Sequence, residues 1–219
     1  MIQLPKYLPP LLDGLWLTLE ITAAGLFIGA LLGMLLALLK ASRSLALRLP
    51  ANIFIDFFRT TPFLIQVLWI YFVLPYLIGR DIEATAAGIL ALGLNASAFM
   101  AEIFRTGIAA VGPGQRDAGR MLGLSRAQIF RYVVLPQAVR ITLPAMIATA
   151  IQVLKSTSYL AAIGVLELTY RATIVTQNSG RYLEVFSVAG AIYIVVIVAL
   201  ILLLELVEKH LARGRASLA

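Results

Sequence analysis

Residues 117–136 read DAGRMLGLSRAQIFRYVVLP, a polar stretch studded with arginine in a chain that is otherwise mostly apolar. Pro113, just upstream, suits the first turn of a helix. Ala118, Met121 and Leu122 then share one helical face, while Arg116, Asp117 and Arg120 mark another. Gly123 accepts the left-handed conformation that ends helices, and Ser125 with Gln128 has the capping-box spacing that starts the next one. The spacing therefore predicts a helix, a tight turn and a second helix running toward Pro136. Such a unit is rigid enough to transmit a push, although the same pattern fits an amphipathic hairpin resting on a lipid surface.

Working outward, the surroundings are a bilayer. Of 219 residues, 61% are hydrophobic and only 13% charged, outside the balance of a soluble domain. Apolar runs cover Leu15–Leu39, Phe63–Gly79, Ala84–Ala101, a stretch interrupted by Arg140 and Pro144 that continues to Leu154, and Val185–Leu204. Five transmembrane helices are expected, the second and fourth borrowing length from polar flanks to reach the ~20 residues a span needs. The first run is too long for a secretory signal and contains Glu20, so a retained span is expected. No soluble domain or internal repeat interrupts it, giving one membrane domain over 1–219. There is no cysteine, hence no disulfide framework. The net charge of +7 sits in short loops, where it orients a membrane chain rather than binding nucleic acid. Lys40, Arg43, Arg48, Arg59, Arg105, Arg116, Arg120, Arg126, Arg131, Arg140, Lys209, Arg213 and Arg215 fall on one side. Lys6, Arg80, Lys155, Arg171 and Arg181 fall on the other. The positive-inside rule then puts the N-terminus outside, and the C-terminus and the 108–136 loop in the cytoplasm.

Asp117, Ala118 and Gly123, then nine residues, then Val133, Leu135 and Pro136 resemble the E-A-A-x-x-x-G…I-x-L-P loop of permease subunits of ATP-binding-cassette importers. Asp replaces Glu, Val133 replaces isoleucine, and Gly119 replaces the second alanine; only the last weakens the helix, by up to ~1 kcal/mol. LLDGLWLTLEIT, FFRTTPFLIQVLW, AEIFRTGI and LKSTSYLAAIGVLEL look like the polar amino-acid permeases of the histidine and glutamine type. The resemblance implies a multi-pass protein of the cell inner membrane, with residues 108–136 as a coupling loop seated on a separate ATPase. It also implies a pair of ATPase subunits that bind ATP and magnesium, a second permease subunit, identical or similar, and an extracytoplasmic solute-binding protein. No cofactor is expected on this chain. Asp117, Ala118, Gly123, Leu135 and Pro136 are the expected coupling residues; a plainer reading of Asp117 is an i+3 contact to Arg120.

Catalysis by the chain itself has no support. GPGQRDAG lacks the lysine of a phosphate-binding loop, and the only histidine, His210, lies beyond the last apolar run. An ATPase-independent secondary transporter or channel subunit is the alternative, though such transporters usually carry more spans or an inverted repeat. Gln66, Asn95 and Glu102 are polar residues in or beside spans, which face protein or a cavity rather than lipid. Asn95 and Gln66 are pathway candidates, while Glu102 is expected to pair with Arg105. Arg59 in FRTTP either caps and kinks the helix or pairs with Asp56. Lys155, Ser156, Thr157 and Ser158 interrupt the fourth run before a segment too short to span, placing hydroxyl and backbone groups where a zwitterion can meet them. In the permeases this region resembles, the residue after the lysine is often acidic. Ser156 there leans the substrate away from arginine and lysine toward glutamate, aspartate or their amides, with Lys155 facing a carboxylate. Alternatively, Lys155 reaches the outer interface and the hydroxyls cap a helix.

Overall fold

A computed structural model describes residues 4–212, with side chains from Lys6 to Leu203 and at Leu206; Arg213, Arg215 and the side chains of Lys209 and His210 lie outside the described residues. Every regular element among the described residues is helical: α1 (Leu4–Lys40), α2 (Leu45–Thr60), α3 (Phe63–Ile78), α4 (Ala84–Ala110), α5 (Pro113–Met121), α6 (Arg126–Ile163), α7 (Leu168–Ser179) and α8 (Tyr182–Ala212). Within α3 and α6, wide π-helical turns at Trp69–Val73 and Ile129–Val134 come just before Pro75 and Pro136. A proline ring crowds the carbonyl four residues back and offers no N–H, and widening the turn relieves both.

Four helices are long and apolar enough to cross a membrane, Lys6–Lys40, Ala84–Ala110, Arg126–Ile163 and Tyr182–Leu203. The second expected span differs. Phe63–Ile78 rises about 24 Å at 1.5 Å per residue, short of ~30 Å of hydrocarbon, and is joined to α2 at an angle of 111°. Together α2 and α3 make a fifth candidate span. The packing of α1 on α4 explains why the chain needs this bent pair. A Cβ placed at Gly25, Gly29 or Gly33 would lie 3.0, 2.7 or 2.7 Å from the Cβ of Leu92, Ala96 or Met100 respectively. Contacts that climb in step on both helices mean that α1 and α4 run parallel. The α2–α3 pair must therefore return the chain from the end of α1 to the start of α4. α6 then runs antiparallel to α4, with Thr142 against Gly107 and Leu160 against Gly88.

The Gly25–Gly29–Gly33 stripe is what lets α1 and α4 approach so closely, since association in lipid depends on packing rather than on water exclusion. Around it lies the main core, including Ile21, Val67, Ala91, Leu92, Ala96, Leu160 and Val165. A second core at the start of α1 joins Tyr7 and Leu11 to Leu168, Ala172, Val185 and Ala189 of α7 and α8. There Thr18 Oγ1 donates to Gly14 O at 2.9 Å and accepts from Leu168 N at 3.1 Å. Trp16, Phe27 and Leu31 of α1 and Ile194 and Val195 of α8 face outward, as lipid-facing positions of spanning helices should.

Candidate functional site

The helix–turn–helix is built as its sequence predicts. α5 begins with Pro113 in its first turn and ends in a closed turn at Gly123, whose φ is +74°. Gly123 N donates to Arg120 O at 2.9 Å and Leu124 N to Gly119 O at 3.1 Å, the paired bonds of a Schellman end. Ser125 and Gln128 then form a reciprocal cap: Ser125 N donates to Gln128 Oε1 at 2.8 Å and Gln128 N to Ser125 Oγ at 3.3 Å. A small core of Val111, Ile129, Val134 and Ala138 lies beneath. Gly119 is buried against Ile129; the residue that weakens the helix in isolation is the one that lets it seat. Arg116 Nη2 donates to Ile108 O at 2.6 Å, tying α5 to the end of α4.

This seating settles which face of α5 looks outward. Met121 and Leu122 are 92% and 78% exposed, and Ala118 and Asp117 are exposed with them. Asp117 makes its i+3 pair with Arg120 at 2.8 Å on the open surface. The apolar face of this amphipathic helix thus points away from the chain's own core. Leu135 and Pro136 start the long α-helical part of α6, Leu135 half-buried and Pro136 exposed.

Gln66 and Asn95 come together. Gln66 Nε2 donates to Phe58 O at 3.0 Å and lies 2.7 Å from Thr61 Oγ1, and Asn95 Nδ2 donates to Phe58 O at 3.1 Å and to Gln66 Oε1 at 3.0 Å. The 111° bend exposes the last carbonyls of α2, and these two amides satisfy them, together with Thr60 Oγ1 on Asp56 O and Thr61 Oγ1 on Phe57 O. Arg59 makes no pair with Asp56 among the described residues; its guanidinium stands 5.6 Å over the Phe99 ring. FRTTP is a built kink. Glu102 pairs with Arg105, as expected, and also with Lys40, which fastens the ends of the parallel α1 and α4.

Lys155, Ser156, Thr157 and Ser158 occupy the point where α6 tightens into a 3₁₀ segment, Thr157–Ile163, closed by Gly164 at φ +79°. Lys155 is exposed, Ser156 and Thr157 are buried, and the Thr157 and Ser158 hydroxyls donate to Leu154 O and Lys155 O at 2.7 and 2.8 Å. This group shares no hydrogen bond with Gln66 or Asn95, but Tyr159 meets Phe63 at 5.9 Å between ring centroids, so the two clusters adjoin. Glu167 was not singled out by sequence reasoning. It is fully buried and caps α7: its carboxylate accepts from Tyr170 N at 2.8 Å, Thr169 N at 2.9 Å and the Tyr193 hydroxyl at 3.0 Å. Burial pushes its carboxyl above the ordinary range, against those three donors. An acid directly before LTYR was the available signal, since helix N-caps favour acceptors.

Comparison with known proteins converges on one family. The family described as the inner membrane component of binding-protein-dependent transport systems matches residues 3–216. A putative glutamine transport system permease of Rickettsia conorii is 32% identical, over 92% of this chain and 92% of its own. An arginine transport system permease of Bacillus subtilis is 35% identical, over 93% of each chain. A solved amino acid ABC transporter with histidines is 40% identical over 94% of this chain and 96% of its own, with a TM-score of 0.88.

Proposed function

The chain belongs to the inner membrane components of binding-protein-dependent transport systems, among amino-acid ABC transporter permeases, and on that premise we propose how it couples and what it carries. α5 and its turn, within 108–136, form the coupling loop. A separate ATPase subunit, which holds ATP and magnesium, receives the outward face made by Asp117, Ala118, Met121 and Leu122. The observation that carries this reading is the exposure of Met121 and Leu122 on a helix braced from behind by Gly119, Arg116 and a capped turn. Large apolar side chains held rigidly outward need a cover, and a braced helix passes a displacement to α4 and α6 rather than absorbing it. The N-terminus is outside and the C-terminus cytoplasmic. A second permease, identical or similar, completes the path, two ATPases drive it, and an extracytoplasmic binding protein delivers the substrate.

The substrate meets the broken end of α6. Lys155 is exposed on a chain whose neighbouring residues are buried, and an ammonium beside Ser156 suits a substrate carboxylate. The substrate is accordingly glutamate, aspartate or one of their amides. The glutamine name of the Rickettsia relative supports this; the arginine name of the Bacillus relative speaks against carrying a substrate over by likeness alone. Gln66 and Asn95 support the path by holding the α2–α3 bend beside it.

The test is substrate-stimulated ATP hydrolysis and uptake across an amino-acid panel, with and without the ATPase, in the unmodified assembly and in Lys155→Ala and Ser156→Asp. Uptake that needs the ATPase, prefers glutamate, aspartate or their amides, and changes its ranking in both variants is expected. Uptake without the ATPase overturns the coupling reading. A preference for arginine, or the same ranking in both variants, overturns the substrate reading.

A further inference from the structure

Elsewhere in the chain, an acid and an arginine set three residues apart close on each other: Glu102–Arg105 at 3.0 Å, Asp117–Arg120 at 2.8 Å and Arg181–Glu184 at 3.2 Å. Asp56 and Arg59 have the same spacing in α2 and stay open. Both are exposed on the single chain, and neither has an ion pair among the described residues. The Arg59 guanidinium stands instead 5.6 Å over the Phe99 ring. Depth makes this pair unusual. α4 is a candidate span of 27 residues, about 40 Å long, and Asn95 lies about 16 and 22 Å from its two ends. The bond from Asn95 Nδ2 to Phe58 O holds Phe58 at that level, and Asp56 and Arg59 with it. Wherever ~30 Å of hydrocarbon sit on α4, the backbone that carries both charges is inside them.

Opposite charges at that depth are costly against lipid and face a watery cavity or protein instead. Their neighbours select the cavity. The Phe58 carbonyl between them accepts from Gln66 and Asn95, at the bend beside the path. α6 runs antiparallel to α4 with Leu160 at Gly88, which brings Lys155 level with about Gly93, roughly 9 Å from Phe99 toward the Ala84 end. A carboxylate and a guanidinium one turn apart, unpaired beside a path for amino acids, match the two groups that every amino acid carries on its α-carbon. We propose that Asp56 and Arg59 form a station for the zwitterionic head of the substrate, on the Ala110 side of Lys155. There the Arg59 guanidinium donates to the α-carboxylate, and the Asp56 carboxylate accepts from the α-ammonium. Lys155 sorts side chains; this pair reads what all amino acids share. The station rests on the path reading above, but not on which side chain Lys155 prefers.

The experiment uses the permease–ATPase assembly in detergent, without binding protein, and exploits the absence of cysteine from the chain. Thr60→Cys, exposed beside Arg59, is the reporter. A charged, water-soluble methanethiosulfonate should modify it, and glutamine should protect it. Phe27→Cys is the control. Phe27 is 67% exposed on α1 and at the same level, between Gly25 and Gly29, which meet Leu92 and Ala96; under the detergent belt it should stay unmodified. Adding Arg59→Gln or Asp56→Asn should raise the glutamine needed for half-protection about ten-fold, with melting unchanged. That factor is about 1.4 kcal/mol, the scale of one hydrogen bond to a charged group. Glutarate monoamide, which lacks the α-ammonium, and γ-aminobutyramide, which lacks the α-carboxylate, should protect as poorly. Failure of Thr60→Cys to react shows a face closed by lipid or protein and overturns the proposal. Reaction without protection, or protection unchanged in both variants, makes this a wetted wall with no station and overturns it; uptake that still needs the ATPase would leave the path reading standing. Oxidative cross-linking of Thr60→Cys between two permeases, lost on adding Arg59→Gln, assigns the charges to the contact between subunits and overturns it too.

Discussion

Replacing Gly29 with alanine tests the packing on which every later placement depends. The new Cβ would lie 2.7 Å from the Ala96 Cβ and 3.3 Å from the Ala96 carbonyl carbon, whereas carbon atoms pack best at about 3.5–4.0 Å. Both neighbours sit on a helix backbone, so no side-chain rotation relieves the contact; α1 and α4 must separate by roughly 1 Å. Overpacking of this kind costs about 1–3 kcal/mol, offset by alanine's helix propensity of ~1 kcal/mol, leaving a net loss of up to about 2 kcal/mol. Gly190→Ala on α8 is the control, because nothing lies within 4 Å of a Cβ there; it should be neutral or slightly stabilising. The assay is thermal unfolding of the purified permease in detergent, followed by loss of monodisperse protein. Ala96→Gly removes the opposing Cβ, so the Gly29→Ala, Ala96→Gly pair should recover about 1 kcal/mol or more relative to the sum of the single changes. Equal melting of Gly29→Ala and Gly190→Ala, or an additive pair, would refute the parallel α1–α4 contact.

Topology can be read against a cysteine-free background: cysteines at Ser44 and Gln115 should label only from inside, and one at Asp81 from outside. Labelling of Ser44 and Asp81 from the same side would mean that α2–α3 re-enters instead of crossing. Gln66→Leu removes the donor that Phe58 O, Thr61 O and Thr61 Oγ1 share and the acceptor for Asn95; a destabilisation of about 1–3 kcal/mol is expected, and melting unchanged from the parent would show that the bend does not need it. Glu167→Gln keeps the shape but puts an amide N–H₂ in place of one carboxylate oxygen, facing at least one of the three donors, so a loss of about 1–3 kcal/mol is expected, with equal stability counting against the buried cap.

The sequence was informative where geometry is local. Gly123, Ser125 and Gln128 specify their own turn and cap, and the structure forms all three as read. Which face of α5 points inward was not legible, because that depends on Ile129 and Ile108 arriving from other helices to meet Gly119 and Arg116. α2 was missed for a related reason: Arg48, Asp56 and Arg59 made it look like a loop, although Leu45, Leu49, Ile53 and Phe57 recur every fourth residue and are exposed together. The stripe Gly25, Gly29, Gly33 was readable in the sequence as a helix-packing face, and it reveals the parallel pairing once its partner is known. Gln66 and Asn95 illustrate a real ambiguity. A polar residue inside a span must find a partner, and sequence does not distinguish a substrate from the carbonyls of a kinked helix 37 residues away in the case of Asn95.

If α5 and its turn transmit ATPase motion, Gly123→Val is the change that interrupts the transmission most directly. Gly123 holds φ at +74° with nothing within 4 Å of a Cβ, so valine introduces about 1–2 kcal/mol of left-handed backbone strain without a steric clash. The chain should insert normally while the turn is displaced. In proteoliposomes holding the complete transporter, simultaneous measurement of uptake and ATP hydrolysis should show either loss of the ATPase or hydrolysis with little transport. Uptake at the parent rate, with the parent ratio of substrate moved to ATP hydrolysed, would contradict it.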